Sequence, residues 1–247
     1  MSYCIVIPNY NHRSVIADVL ADLSQLQLPI VMVNDGSDSE ISAYFRTLTA
    51  QFSCLTLVEH SDNQGKGAAV QTGLRTAQKI GCSHAIQVDA DGQHQLRDVA
   101  HLLQLSQQQP NCVISGQPVY DESVPKHRLY SRYITHFWVW VETLSFAIKD
   151  SMCGFRVYPV DTTVALLDSV SLGQRMDFDI EILVRLYWRG VNTVFFPTQV
   201  IYPEDGISHF RPLEDNIAIS WMHTRLFFGM LVRSPVLLFR KVWRHGD

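Results

Sequence analysis

The stretch His84 to His94, HAIQVDADGQH, places two carboxylates, Asp89 and Asp91, one residue apart at the end of a β-prone run. In an extended chain alternate side chains share a face, so the pair is expected to point the same way, with Gly92 free to turn the chain. Like charges that close repel, and a cation between them removes the conflict. An all-oxygen pair, with Gln93 as a third donor, suits a hard ion such as Mg2+ or Mn2+ better than zinc. A solvated turn accounts for the same residues, because Asp and Gly are ordinary turn formers.

Three further polar clusters carry chemistry-capable groups. NQGKGAA, Asn63 to Ala69, lacks the full G-x-x-x-x-G-K-[ST] spacing, which argues against a P-loop nucleotidase. Its Gly65 and Gly67 still free the backbone at a helix start, where amides and Lys66 can meet an anion; plain helix punctuation is the alternative. NDGS, Asn34 to Ser37, puts Asp35 in a strand-end turn, as a ligand contact or a local cap. PNYNH, Pro8 to His12, offers the face of Tyr10 for stacking or for packing. His94 adjoins the acid pair, whereas the other histidines show no metal-ligand spacing.

The elements that must position these groups alternate. Apolar β-type runs at Cys4 to Ile7, Ile30 to Val33, Leu55 to Val58, Ala85 to Val88 and Cys112 to Ser115 are interleaved with helical spacing at 15–23, 68–80 and 99–105. This predicts an α/β fold with a mostly parallel sheet covered on both sides. PNYNH, NDGS and DADGQH then fall at the carboxyl ends of strands, where such sheets gather function. Long helical patterns are expected from Arg128 to Lys149 and from Phe178 to Trp188, joined through DSMCGFR.

Composition narrows the class. A net charge of −4 excludes the basic stripe of a nucleic-acid protein, so no nucleic-acid partner is expected. The five cysteines are odd in number and scattered, and MSYCIVIP shows no leader pattern; both point to reduced thiols in the cytoplasm. No run approaches a membrane span. The segment from Trp221 to Arg244 nevertheless mixes Trp221, Phe227, Phe228, Leu231, Leu237, Leu238, Phe239 and Trp243 with Arg225, Arg233, Arg240, Lys241 and Arg244. Two readings fit it. It lies in a bilayer interface with its basic residues on anionic lipid, or it forms two helices, broken near Pro235, that pack on the domain.

Taken in order, PNYN, NDGS, NQGKGAA, VDADGQH, DSMCGFR and FDIE resemble the motifs of glycosyltransferase family 2, in its dolichyl- or polyprenyl-phosphate mannose and glucose synthase branch. The resemblance spans about residues 3 to 209. It implies a GT-A nucleotide-sugar-binding sandwich over 1–215, followed by an amphipathic extension over 216–247. It implies an inverting, metal-dependent transfer from a nucleoside diphosphate sugar to a lipid-linked or envelope-glycolipid acceptor. By the same likeness Pro8, Tyr10, Asn11 and Asp35 surround base and ribose with Gly65 and Lys66 nearby, and Asp89, Asp91 and Gln93 hold Mg2+ or Mn2+ on the diphosphate. Arg132 and Arg156 match basic positions facing phosphate, and Glu181 matches an acid beside the acceptor.

An acceptor hydroxyl needs a base, for which Asp177, Asp179 and Glu181 are the candidates; helix-start acids favoured by the dipole are the alternative. Short chains of this kind resemble bacterial enzymes that work beside acyltransferases, on or near the inner face of the membrane. The sequence departs from the pattern at His12, Asn34, Gln117 and Pro203. The last three motivate a second reading, a non-catalytic nucleotide-sugar-binding or scaffold protein on the same fold.

Overall fold

Runs of β-branched and aliphatic residues become strands because both faces of a covered sheet must be apolar. In the computed structural model, residues 1–119, 126–199 and 211–244 are described, the side chains of 126–131 and 242–244 excepted. The elements in order are β1 (Tyr3–Asn9), α1 (Ile16–Ser24), β2 (Ile30–Asn34), α2 (Ser39–Gln51), β3 (Leu55–Glu59), α3 (Lys66–Lys79), β4 (His84–Gln87), α4 (Val99–Gln108), β5 (Val113–Val119), α5 (Lys126–Thr143), β6 (Arg156–Pro159), α6 (Val160–Ser169), α7 (Phe178–Trp188), β7 (Thr193–Gln199) and α8 (Pro212–Arg244). The Pro203 to Ser208 segment lies outside the described residues.

Among the described residues seven strands form one sheet, ordered β3-β2-β1-β4-β6-β5-β7. Every pairing is parallel except those of β6, which runs antiparallel to β4 and β5. Alternate residues of β1 enter opposite cores. Cys4 and Val6 join the side built with α3, α6, α7 and α8, while Tyr3, Ile5 and Ile7 join the side built with α1, α2 and α4. Three layers result, and the mostly parallel α/β sandwich expected from the sequence is what forms.

The C-terminal segment corrects one expectation. Instead of two helices, α8 is one 33-residue helix with Pro235 inside it. Proline cannot donate to the carbonyl four residues earlier, that of Leu231. The Ser234 hydroxyl donates to that oxygen at 2.9 Å instead, so the carbonyl keeps a partner and the helix continues. Met222, Leu226, Met230 and Leu237 form the seam of α8 in the core shared with α7 and α5. Each such side chain contributes about 1.5–3 kcal/mol by leaving water, which ties the helix to the body. The 215/216 division falls inside its first turn.

Candidate active site

Parallel pairing brings the carboxyl ends of β1, β2 and β3 level, with Asn9 opposite Asn34 and Asn34 opposite Glu59. The loops that leave these strands are therefore neighbours. Asn9 closes the first loop by accepting from the His12 amide, and Asn11, at φ 60°, ties it to the next. The Asn11 amide donates to Ser37 Oγ and its Oδ1 accepts from the Asp38 amide. Pro8 is buried within β1, while Tyr10 is half-buried beyond the strand.

Asp35 is only 2% exposed, and its carboxylate is a staple. It accepts from the amides of Gln64 (3.0 Å) and Gly65 (2.8 Å) and from Asn63 Nδ2 (3.0 Å). His60 Nδ1 lies 2.7 Å away and therefore carries its proton toward Asp35, leaving Nε2 to accept from Thr72. These contacts fix the NQGK loop and the start of α3. Gly65 sits at φ 108°, and a Cβ there would strike the Gln174 carbonyl, so only glycine fits the turn.

With α3 anchored, Lys66 extends into a cluster of acids. Its ammonium lies 2.9 Å from Asp89 Oδ2 and 3.1 Å from Asp179 Oδ2. Burial works against that charge, but Asp179 and Asp89 outweigh it and raise the lysine well above its ordinary range. Burial likewise disfavours the Asp89 anion, and Lys66 with His94 more than compensates, holding the carboxyl far below the usual range. His94 Nε2 lies 3.3 Å from Asp89 Oδ2, with its ring stacked on Phe155. Asp89 Oδ1 is buried and has no hydrogen-bond partner.

Beneath the cluster is a polar floor. Gln87 Nε2 donates to Asp179 Oδ1 and Gln87 Oε1 accepts from the Tyr158 hydroxyl, both at 3.3 Å. Burial pushes the Tyr158 phenol up to about 12, which keeps it a neutral donor. Arg156 donates to Tyr158 Oη, the Asp179 carbonyl (2.7 Å) and the Ser151 carbonyl (2.8 Å). Gly154 keeps the space above open. A Cβ there would lie 2.7 Å from Gln87 Nε2, 2.9 Å from Lys66 Nζ and 3.0 Å from Asp89 Oδ2.

Several sequence assignments change in this setting. Strand β4 ends at Gln87, so Asp89 and Asp91 are set by the turn that follows it rather than by strand alternation. Asp91 is half-buried and its Oδ1 accepts from the Gln93 amide at 3.0 Å, shaping that turn. Arg156 is fully buried, and its hydrogen bonds organise the floor. Arg132 grips Asp150 in a two-pronged ion pair at 2.7 and 2.8 Å. Asp150 also accepts from the amides of Met152 and Cys153, so Arg132 fastens the loop that carries Gly154.

The three acids of RMDFDIE separate as well. Asp179 reaches the cluster. Asp177 is nearly buried, which raises its carboxyl despite a backbone hydrogen bond from Arg175. Glu181 is fully buried and faces α8, accepting from the Gly173 amide (2.8 Å), Arg185 (2.8 Å) and Arg225 (3.3 Å). It has no opening to a substrate. Sequence reasoning missed Gln87, Tyr158 and Gly154; the polar Gln87 between the apolar Ile86 and Val88 was the available signal.

The donor set suits a divalent ion completed by a ligand. Among the described residues no three His, Cys, Asp or Glu side chains converge into a ready cage. A hard cation of the Mg2+ class commonly takes one or two carboxylates and fills its remaining positions with phosphate oxygens and water. The partnerless Asp89 Oδ1, with Asp91 in the next turn, fits that pattern.

Comparison with known proteins bears on family and fold. The model of Glycosyl transferase family 2 matches residues 4–170. The chain is 23% identical, over 216 residues, to the UDP-N-acetylglucosamine–dolichyl-phosphate N-acetylglucosaminyltransferase of Methanococcus voltae, covering 81% of this chain and 86% of that one. It is 30% identical over 169 residues to a dolichyl-phosphate beta-glucosyltransferase of Trichomonas vaginalis, covering 63% of this chain and about half, 49%, of that protein. Its fold superposes with a TM-score of 0.66 on glucosyl-3-phosphoglycerate synthase of Mycobacterium tuberculosis, crystallised with Mn2+, UDP-glucose and phosphoglyceric acid. That alignment covers 94% of this chain and 79% of the other at 14% identity, a likeness of fold, the GT-A sandwich.

Proposed function

This chain belongs to glycosyltransferase family 2, and from that premise we propose that it moves a sugar, with inversion, from a nucleoside diphosphate to a lipid-linked phosphate acceptor. The observation that carries the reading is the Asp89–Lys66–Asp179 cluster, with its partnerless Asp89 oxygen, at the carboxyl edge of the sheet. Relatives named for dolichyl-phosphate acceptors support the acceptor class, and the neighbour crystallised with Mn2+ and UDP-glucose supports the donor and ion.

In this reading Asp89 and Asp91, with Gln93, hold Mg2+ or Mn2+. A divalent ion there supplies charge neutralisation for the leaving diphosphate. Lys66 meets the diphosphate oxygens, and the loops carrying Tyr10 and Asn11 border the nucleoside. Asp35 acts by shaping that border, since its carboxylate is already saturated. The acceptor oxygen attacks the anomeric carbon as the bond to the diphosphate breaks, releasing nucleoside diphosphate. A phosphate acceptor is ionised before it binds, so no strong base is required. Asp179, ion-paired with Lys66 at 3.1 Å, then positions rather than deprotonates.

The scaffold alternative loses one of its motives. Asn34, one of the departures behind it, is a buried structural residue whose amide donates to Ser42 and Glu59 and whose Oδ1 accepts from the Ser37 amide.

A lipid acceptor requires contact with a membrane, and the surface supplies a candidate. No helix among the described residues is long and apolar enough to cross one. Yet Tyr133, Ile134 and Phe137 on α5 and Ile217, Trp221, Phe228, Leu231, Val232 and Phe239 on α8 are all more than 50% exposed or at that bound. Edge-on ring contacts run from Phe137 through Trp138 and Phe227 to Phe228, making the patch continuous across both helices. Three of the arginines expected to reach lipid are engaged by the body of the protein instead, and the side chain of Arg244 lies outside the described residues. Arg225 pairs with Glu181, Arg233 stacks on Trp188 at 4.7 Å, and Arg240 donates to the Trp188 carbonyl at 2.8 Å, capping α7. Apolar contact therefore leads binding through this face.

The test is a transfer assay with UDP- and GDP-linked sugars, a polyprenyl phosphate, and Mn2+, Mg2+ or chelator. Cation-dependent appearance of a lipid-linked sugar is expected. Release of nucleoside diphosphate without any labelled lipid would overturn the acceptor assignment, and release unaffected by chelator would overturn the metal.

A further inference from the structure

Lys66 occupies Asp89, one of the acids that the reading above gives to a divalent ion, and ties it to Asp179. Its ammonium bridges Asp89 Oδ2 and Asp179 Oδ2 at 2.9 and 3.1 Å, and His94 shares Asp89 Oδ2 with it. A dication bound to the same oxygen must displace the ammonium. One bound to the partnerless Oδ1 must share a single carboxylate with it, against the repulsion of like charges at short range. Either way Lys66 opposes the ion. Its side chain is held in this position from both directions: Asp35 anchors the backbone just ahead of it through Gly65, and Gly154 leaves the space its ammonium fills.

A nucleoside diphosphate changes the balance. It brings negative oxygens that can receive the lysine ammonium and, at the same time, complete the coordination of the ion. We propose that Lys66 is a resident counter-cation that makes divalent-ion binding at Asp89 conditional on the donor. Ion and donor then bind with positive cooperativity, and the apo site resists filling by cytosolic Mg2+ alone. This inference rests on the metal-assisted reading.

The test is Mn2+ binding to the full chain, followed by the electron paramagnetic resonance of free Mn2+, with no nucleotide and with UDP or GDP. Wild type is expected to bind Mn2+ at least ten times more weakly without nucleotide than with the better of the two. Lys66→Met, which keeps the length and removes the charge, is expected to bind Mn2+ without nucleotide at least ten times more tightly than wild type. Lys66→Arg should keep the wild-type weakness. Lys66→Gln serves in place of Lys66→Met if the latter fails to show a cooperative melt. Nucleotide-free affinity in the charge-removed variant equal to or below that of wild type overturns the inference while leaving the metal site standing. If Asp89→Asn retains Mn2+ with nucleotide as well as wild type does, the metal reading itself fails, and the inference falls with it.

Discussion

Asp179 and Glu181 sit two residues apart on α7 and meet opposite surroundings. Successive helical positions are 100° apart, so the two side chains leave the helix about 200° from each other. Asp179 enters a cluster rich in acid, where Lys66 alone is shared with Asp89 and where one Asp89 oxygen has no hydrogen-bond partner. Glu181 enters a matched one. It is shared by Arg185 and Arg225, and nearby Glu142 pairs with His223 at 2.7 Å under the cover of α8. The first cluster leaves acid to spare beside its lysine, and the second holds helices together. Residue type did not distinguish them.

The comparison breaks most sharply at Asp89. Replacing it with Asn leaves a similar shape without the charge, so transfer is expected to fall by about 10²–10³-fold, the scale of losing one preorganised electrostatic group. The melting temperature should move by no more than about 3 °C, since the neighbouring Asp179 still holds Lys66. Turnover of purified protein measured beside its melting curve checks both. Wild-type turnover would end the assignment of the cluster to chemistry.

Glu181→Gln should show the reverse profile. It leaves two arginine side chains beside a neutral amide in a buried setting, a loss of about 3 kcal/mol. For a chain of this size that corresponds to roughly 6–12 °C in melting temperature. Well below the melt, turnover should stay within about 3-fold of wild type. Asp179→Asn should instead lower turnover about 10-fold or more and leave the melt nearly unchanged, because it removes half of the Lys66 bridge. Similar profiles for the two variants would dissolve the distinction.

A gentler probe is Gly154→Ala. The added methyl meets Lys66 Nζ, Asp89 Oδ2 and Gln87 Nε2 within 3.0 Å. Those are ends of side chains that can shift, so the fold should survive with a loss of about 1 kcal/mol, at the low end for overpacking. Displacing the ammonium from the acids is expected to change turnover about 5- to 10-fold. A variant indistinguishable from wild type would show that the Lys66 bridge has no part in turnover.

How much of this was legible beforehand follows from the range of each interaction. Strands β1 to β4 are largely apolar runs between polar turns, a local signal, and the five-strand expectation placed them well. Strand β6 and helix α6 were not anticipated, because RVYP directly followed by VDTTVALLDS has no turn between strand and helix to mark the boundary. The site residues were legible as motifs and illegible as roles. Nothing near Arg156 in sequence says that its partners are Ser151, Tyr158 and the backbone of Asp179, 23 residues on. The same holds for Asp35, whose staple depends on a loop some 30 residues away. Pro235 misled for a smaller reason, the hydroxyl that Ser234 supplies to the carbonyl that proline leaves.

The smallest effect on the folded protein itself is expected on the outer face of α8, where exposed apolar side chains lie apart from arginines engaged with α7. Trp221, Phe228 and Val232 are 62%, 62% and 80% exposed, so changing all three to Gln should alter stability by no more than about 0.5 kcal/mol each and leave donor hydrolysis intact. Association with vesicles should nevertheless drop by more than 10-fold, because each of these side chains contributes up to about 1.5–3 kcal/mol when buried in lipid. Arg233→Gln with Arg240→Gln should do the opposite. Those side chains stack on Trp188 and cap α7, so their loss lowers the melting temperature and changes vesicle association little. Raising salt from 0.1 to 0.5 M shortens the Debye length below about 10 Å and would weaken charge-led binding, whereas apolar binding should persist. Co-sedimentation of the full chain with vesicles of neutral and anionic lipid reads all of these at once. Loss of pelleting in the arginine variant, but not in the apolar one, would return the surface to an electrostatic mode; no pelleting by wild type on either lipid would remove the membrane from the function of this face.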